Sequence, residues 1–244
     1  MAKDLAIDIG NTRTKFGWFD KKELLHAFQL NNADLANNDK LMESYEPANI
    51  IISSVNDKAE ALLGIDRFKA QTIHLNSSTK LPIKLEYQSP ETLGKDRIAG
   101  AVGAAVQFPK KNVLVIDAGS CITYDLMTER KSYLGGAISP GIQMRLQAMN
   151  NYTDQLPLLY WEQPKRPETL GNTTISSMLS GVVNGLIAEM NGFISSYGEQ
   201  FSDLKVVLTG GDANFFEKEL KNGIFADPNL VLKGLHEILD YNLT

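Results

Sequence analysis

Apolar residues along the chain fall into short runs and alternations that predict strands, with helical spacing only in a few longer stretches. Residues 4–9 and 13–19 read as two strands joined by a tight Gly-Asn turn, and a third strand near 23–29 completes a meander. "NIIISSV", Asn49 to Val55, is a buried strand ending in small polar residues, followed by a helix over about 57–68 and a short strand at 71–75. "SPETLGKDRIAGAVGAAVQF" predicts a helix, with Ser89 as N-cap and Pro90 as first helical residue. Its Gly and Ala content suits close packing against other backbone. Lys110-Lys111-Asn112 reads as a loop.

From there the pattern restarts. "LAIDIGNTRTKFG", Leu5 to Gly17, is echoed by "LVIDAGSCITYDL", Leu114 to Leu126: an apolar strand, an Asp, a Gly-containing turn and a second strand. The second copy gives strands at 113–117 and 120–127, and "SYLGGAIS" gives a third. Helices are expected around 140–149, 174–197 and 231–241. "DQLPLLYWEQPKRPETLGN" holds three prolines and reads as an ordered loop, since it also carries Leu, Tyr and Trp. "LKVVLTGGDANFF" is a buried strand turning into a helix, and it matches "ANIIISSVND" in the first half. The chain therefore reads as two fused copies of one α/β unit, residues 1–111 and 112–244, the second with a longer helical insertion. Two lobes facing one cleft are expected.

Composition narrows the function classes. Apolar residues are 43 % and charged residues 22 % of the 244, which suits a packed globular core. A net charge of −5 disfavours a nucleic-acid partner. The single cysteine, Cys121, excludes a disulfide within the chain and argues against a cysteine-built zinc site. His26, His74 and His236 lack metal-ligand spacing and read as structural or surface residues. No basic region precedes an apolar signal block, and no apolar run approaches the ~20 residues that span a bilayer. A soluble, cytoplasmic protein without a membrane partner is expected.

The repeated turn has a chemical reading. A tight turn between strands exposes backbone N–H groups, and glycine lets a phosphate come close to them. Asn11, Thr12, Ser120 and Thr123 add hydrogen-bonding side chains, Lys15 adds a positive charge, and an Asp at a strand end can hold a metal or its water shell. One such turn cradles one phosphate group; two can share a polyphosphate. "TGGD", Thr209 to Asp212, is a third Gly-rich strand-to-helix turn, suited to adenine and ribose. Each turn alone is also an ordinary turn; the ordered repeat favours the nucleotide.

This trio resembles the acetate kinase, sugar kinase, Hsp70 and actin superfamily, which implies two similar ribonuclease H-like lobes, duplicated βββαβ-type units around a nucleotide cleft. A closer resemblance lies in "YQSPETLGKDR", Tyr87 to Arg97, which looks like the Tyr-x-Asn-Pro-x-x-x-Gly-x-Asp-Arg signature of type III pantothenate kinases. Ser89 stands where that signature has Asn, and Ser120 where the second phosphate turn usually has Thr. "GNTTISSMLSG", Gly171 to Gly181, resembles the family's Thr-containing substrate segment, and with "YLGGAISPGIQM" the resemblance covers nearly the whole chain.

The resemblance implies ATP-dependent phosphorylation of pantothenate to 4′-phosphopantothenate, the first step of coenzyme A synthesis. It implies Asp96 as the base that accepts the alcohol proton. Asp8, Gly10, Asn11, Thr12, Lys15, Ser120, Gly210 and Gly211 would bind ATP with Mg²⁺. Tyr87, Gly94, Lys95, Asp96, Arg97 and Thr174 would bind pantothenate, and Asp117 would hold K⁺ or NH₄⁺. Counting back from Gly181 favours Thr174 over Thr173. From the residues alone, Asp96 is a helix-start carboxylate placed where such groups are favoured, Arg97 an ion-pair partner and Thr174 a helix N-cap. The resemblance also favours a homodimer, with Met178, Leu179, Val182, Val183, Leu186 and Ile187 as its surface or, equally by periodicity, as core. Other small-molecule kinases of the same superfamily and a non-catalytic ATP-binding scaffold or regulatory factor are the competing readings.

Overall fold

The computed structural model describes residues 3–37, 46–162, 165–220 and 223–243. The chain divides into two compact units. Unit 1 comprises residues 1–109, 131–133 and 229–244, and unit 2 comprises 110–130 and 134–228.

Unit 1 is built on β1 (Lys3–Ile9), β2 (Arg13–Asp20), β3 (Glu23–Asn31), β4 (Pro47–Ser54) and β5 (Gln71–His74), in the spatial order β3-β2-β1-β4-β5. The meander β1-β2-β3 is antiparallel, and β4 and β5 add in parallel. Leu5, Ile7 and Ile9 alternate along β1 and pack with Phe16, Trp18, Ile50 and Ile52, the Ala59 and Leu63 side chains covering them. This is the period of two that places alternate side chains on one face. A short strand, β6 (Lys84–Leu85), pairs with Ser132 and Tyr133 at the start of β9 (Ser132–Pro140).

Unit 2 repeats the plan. β7 (Val113–Ala118), β8 (Cys121–Met127) and β9 form the second meander, and β10 (Lys205–Thr209) and β11 (Ile224–Ala226) add in parallel, giving the order β11-β10-β7-β8-β9, with β6 as a sixth strand beyond β9. Apart from β6, this is strand for strand the order of the first sheet.

The helices are α1 (Asp57–Leu62), α2 (Lys95–Gln107), α3 (Ile142–Asn151), α4 (Thr174–Gln200), α5 (Ala213–Glu219) and α6 (Leu230–Leu243). The expected helix over 57–68 stops early: Gly64 enters the left-handed region at φ +56°, and a separate 3-10 turn covers Ile65–Arg67. The helix expected to begin at Ser89–Pro90 is likewise two pieces. Pro90–Thr92 is a 3-10 turn, Leu93 is extended, and α2 starts only after Gly94. The proline supplied a turn start rather than the helix start.

In unit 1, α2 and α6 cross at two glycines. A Cβ on Gly103 would lie 2.4 Å from the Leu230 carbonyl oxygen, and one on Gly234 would lie 1.8 Å from that of Ala99. The Gly-rich sequence of α2 thus serves close helix contact. The last helix lies against β1, β2 and β4 of unit 1.

The α4 stripe is core. Met178, Val182, Val183, Leu186 and Ile187 are buried in the unit 2 cluster and Leu179 packs against it, so none of these six supplies a free dimer surface. The proline-containing segment before α4 is irregular, residues 163 and 164 lying outside the described residues. Among the described residues no helix is long and apolar enough to cross a membrane.

Candidate active site

The first turn lies in unit 1. Across the β1–β2 pair Asp8 stands opposite Lys15, and on the other side it neighbours Ser53 of β4. The Gly10 N–H donates to the Arg13 carbonyl at 3.0 Å and closes the turn, leaving Asn11 and Thr12 exposed. Asn32, just past β3, braces it. Its amide donates to the carbonyl oxygens of Gly10 at 2.9 Å and Asn11 at 3.1 Å, and its Oδ1 accepts the Thr14 hydroxyl at 2.8 Å. Sequence reading missed Asn32, because only the meander's register brings it to the turn.

The start of α2 belongs to the same region of unit 1. Lys95 Nζ donates to the Ser54 carbonyl at 3.0 Å, and Ser54 pairs with Ile9, the residue after Asp8. Asp96 Oδ1 accepts the Arg97 N–H at 2.9 Å, which folds the carboxylate back onto the first helical turn. Gly94 makes room for it: a Cβ there would stand 2.6 Å from that same oxygen. Burial and then the Asp96 charge push the Asp8 pKa up to about 6, against the lowering pull of Lys15 and a Ser53 hydrogen bond. Asp8 thus neighbours Lys95 and Asp96, far from it in sequence. Arg97 is buried, and Tyr87 is set by a tilted contact with the Tyr133 ring at 5.9 Å.

The second turn lies in unit 2. Asp117 stands between Thr123 on β8 and Thr209 on β10, and the Gly119 N–H donates to the Cys121 carbonyl at 3.0 Å. Ser120 is exposed at the tip. Gly210 takes φ +96°, and a Cβ on it would meet the Ala118 carbonyl oxygen at 2.4 Å and Asp117 Oδ1 at 2.5 Å. Only glycine fits such a place. Gly211 is open to its surroundings. Gly141, which sequence reading did not single out, seats α3 behind the turn: its N–H donates to the Ser120 carbonyl at 3.0 Å, and a Cβ would come within 2.2 Å of the Gly119 carbonyl oxygen. The Thr209 hydroxyl is buried without a hydrogen-bond partner among the described residues.

The two adjacent threonines at the start of α4 have different jobs. Thr173 is the N-cap; its Oγ1 accepts the Ser176 N–H at 3.1 Å, and Ser176 Oγ returns the favour to the Thr173 N–H at 2.9 Å. Thr174 is exposed in the first turn and lines a cavity of about 750 Å³ with Asn172, Ser177, Met149 and Leu156. The Asp8 turn and Gly94–Arg97 are thus gathered in unit 1, and the Asp117 turn, Gly210–Gly211 and Thr174 in unit 2.

The profile of the type III pantothenate kinases matches residues 4–196. The chain belongs to that family. A type III pantothenate kinase of Flavobacterium johnsoniae is 41 % identical over 243 residues, covering 98 % of each chain. Among solved structures, a Campylobacter jejuni protein described as a Baf family transcriptional activator aligns with a TM-score of 0.63 at 24 % identity, covering 98 % of both chains. The inorganic polyphosphate/ATP-glucomannokinase of an Arthrobacter species aligns at 0.52 with 16 % identity, covering 99 % of this chain and 100 % of its own. These two likenesses are of fold: an α/β protein with two mixed sheets, shared with sugar kinases. The Gly-x-Asp-Arg run of the sequence is Gly94–Arg97.

Proposed function

We propose that this chain transfers the γ-phosphoryl group of ATP to the primary alcohol of pantothenate, giving 4′-phosphopantothenate, the first step of coenzyme A biosynthesis. Family membership supplies the reaction. The observation that carries it to particular residues is Asp96, held on the first turn of α2 beside the Asp8 turn, with Gly94 clearing its space.

Phosphoryl transfer asks the protein for position, charge neutralisation and a proton acceptor. Asp96 accepts the proton as the alcohol oxygen attacks phosphorus; ADP departs and Asp96 is left as the acid. Gly10, Asn11, Thr12 and Lys15 bind one part of the ATP phosphates; Ser120 and the Gly210–Gly211 backbone bind another part and the nucleoside. Arg97, a fixed planar donor, suits the pantothenate carboxylate. Tyr87, Lys95 and Thr174 complete the pantothenate contacts, with Thr174 favoured over Thr173 because the latter's hydroxyl is committed to its cap.

The chain's oxygen groups fit the two cations the family implies. Asp8, a carboxylate made costly to ionise by burial and by Asp96, suits a divalent ion. Asp117 with the buried, otherwise unpartnered Thr209 hydroxyl suits K⁺ or NH₄⁺. Bound there, such ions would neutralise charge on the phosphates. A homodimer in the cytoplasm remains part of this reading. Its interface must use a surface other than the buried α4 stripe.

The test is ATP consumption with and without the acceptor. ADP release that requires pantothenate supports the kinase. Release that ignores it, or ATP binding with no turnover, supports a scaffold instead.

A further inference from the structure

A second cluster of metal-ligating groups lies in unit 1, away from the Asp8 turn. His236 on α6 directs Nε2 at Asp4 Oδ2, 3.4 Å away, and at Asp240 Oδ1, 3.9 Å away. Ligand atoms of all three residues lie within 4.8 Å of one another. Asp4 is at the start of β1 and Asp8 near its end, so the two sites are roughly 13 Å apart along the strand.

The Asp4–His236 contact is a long hydrogen bond, and a second carboxylate faces the same nitrogen. A charge-assisted N–H···O bond runs about 2.7–2.9 Å, and one Nε2 proton serves one carboxylate. Here two carboxylates converge on one imidazole nitrogen at longer range. With Zn–N near 2.0–2.1 Å and Zn–O near 2.0–2.2 Å, neighbouring ligand atoms of a tetrahedral ion sit roughly 3.4 Å apart. The Asp4–His236 separation has that value, and Asp240, a third exposed at its side chain, has room to close the remaining gap.

The surroundings orient the ligands as the outer shell of a metal site does. The His236 side chain is 4 % exposed, and its ring stacks on Phe19 at 4.1 Å and 9°. Asn49 Nδ2 donates to the other Asp4 oxygen, Oδ1, at 2.8 Å, leaving Oδ2 to face the imidazole. His236 and Asp240, four residues apart, share one face of α6.

We propose that Asp4, His236 and Asp240 bind one Zn²⁺ ion, which fastens the last helix of unit 1 to its first strand. One imidazole and two carboxylates form a mixed N/O set that suits zinc, and the partly exposed Asp240 leaves a fourth position to water. The role is structural: the ion would join α6 to β1, roughly 13 Å along the strand from Asp8.

Zinc titration of the nucleotide-free protein tests this. One Zn²⁺ per chain is expected, with a melting temperature raised by several degrees. Asp240→Asn, at a partly exposed position, is expected to keep the metal-free melting temperature while weakening binding at least ~10-fold and abolishing the rise. Asp4→Asn should weaken binding to a similar degree. Absence of 1:1 binding, or binding unchanged in both variants, would overturn the site; an equal rise with Ca²⁺ would overturn its assignment to zinc.

Discussion

Asp8 at the end of the first strand and Asp96 on the first turn of α2 feel each other's charge. Burial is the larger cause and Asp96 the second, and together they hold the Asp8 pKa at about 6 instead of 3.8. Two carboxylates kept close in a partly desolvated place cost stability whenever both are ionised. Under the proposed function, a divalent cation held at Asp8 would offset that cost.

The sign of the pH effect follows. A group whose folded pKa is raised favours folding fully below its unfolded value and loses that contribution as pH rises through about 6. Asp8→Asn removes the ionisation. At pH 8 the ligand-free variant should be more stable than the wild type, on the order of 3 kcal/mol. The advantage should vanish near pH 4. Chemical denaturation at both pH values checks this, and equal stability at pH 8 would contradict it.

Asp96→Asn keeps the size of the side chain and removes the base. A positioned general base contributes roughly 10²–10⁴ in rate. kcat should fall on that scale, while the fold and ATP binding survive. Near-normal turnover would reduce Asp96 to a helix-start carboxylate.

Gly94→Ala tests whether the place of Asp96 matters. The new Cβ would stand 2.6 Å from Asp96 Oδ1, so the carboxylate must shift. A displacement of about 1 Å can cost on the order of 10²-fold. A large fall in kcat with an intact fold is expected. Double-mutant cycles with Asp96→Asn should show little added loss, because both act through one carboxylate.

Much of this was legible in the sequence. The Asp-Gly phrase at Asp8 and Asp117 announced a duplication, and the sheets repeat one strand order. Period-two alternation carried β1 and β2, and Gly-x-Asp-Arg pointed to Asp96. What stayed hidden depends on the third dimension. Asn32 reaches the first turn only through the β2–β3 register, and the partners of His236 include Asp4 at the other end of the chain. Periodicity marked the α4 stripe as apolar and left core and interface equal; only its burial against the second sheet decides. Pro90 fits a 3-10 turn as well as a helix start, and the extended Leu93 after it separates the two.

The two threonines at α4 separate cap from contact. Thr173→Ala removes the capping box and should cost about 1 kcal/mol of stability with little change in KM for pantothenate. Thr174→Ala should leave stability near wild type and raise that KM. Thermal melts and steady-state kinetics on both variants check the division; the reverse pattern would exchange their roles.

Asp117 carries the monovalent-cation reading. Activity in K⁺ or NH₄⁺ should exceed that in Na⁺ at constant ionic strength and saturating Mg²⁺, and Asp117→Asn should lose most of the difference. Equal rates in Na⁺ and K⁺ would return Asp117 to ordering its turn beside Gly210.

The acceptor alcohol decides which kinase this is. Purified protein offered ATP, Mg²⁺, K⁺ and an equimolar mixture of pantothenate, hexoses and short hydroxy acids should yield one phosphorylated product by mass spectrometry, 4′-phosphopantothenate. Its formation should collapse in Asp96→Asn. Phosphorylation of a sugar or acid in place of pantothenate would contradict the account.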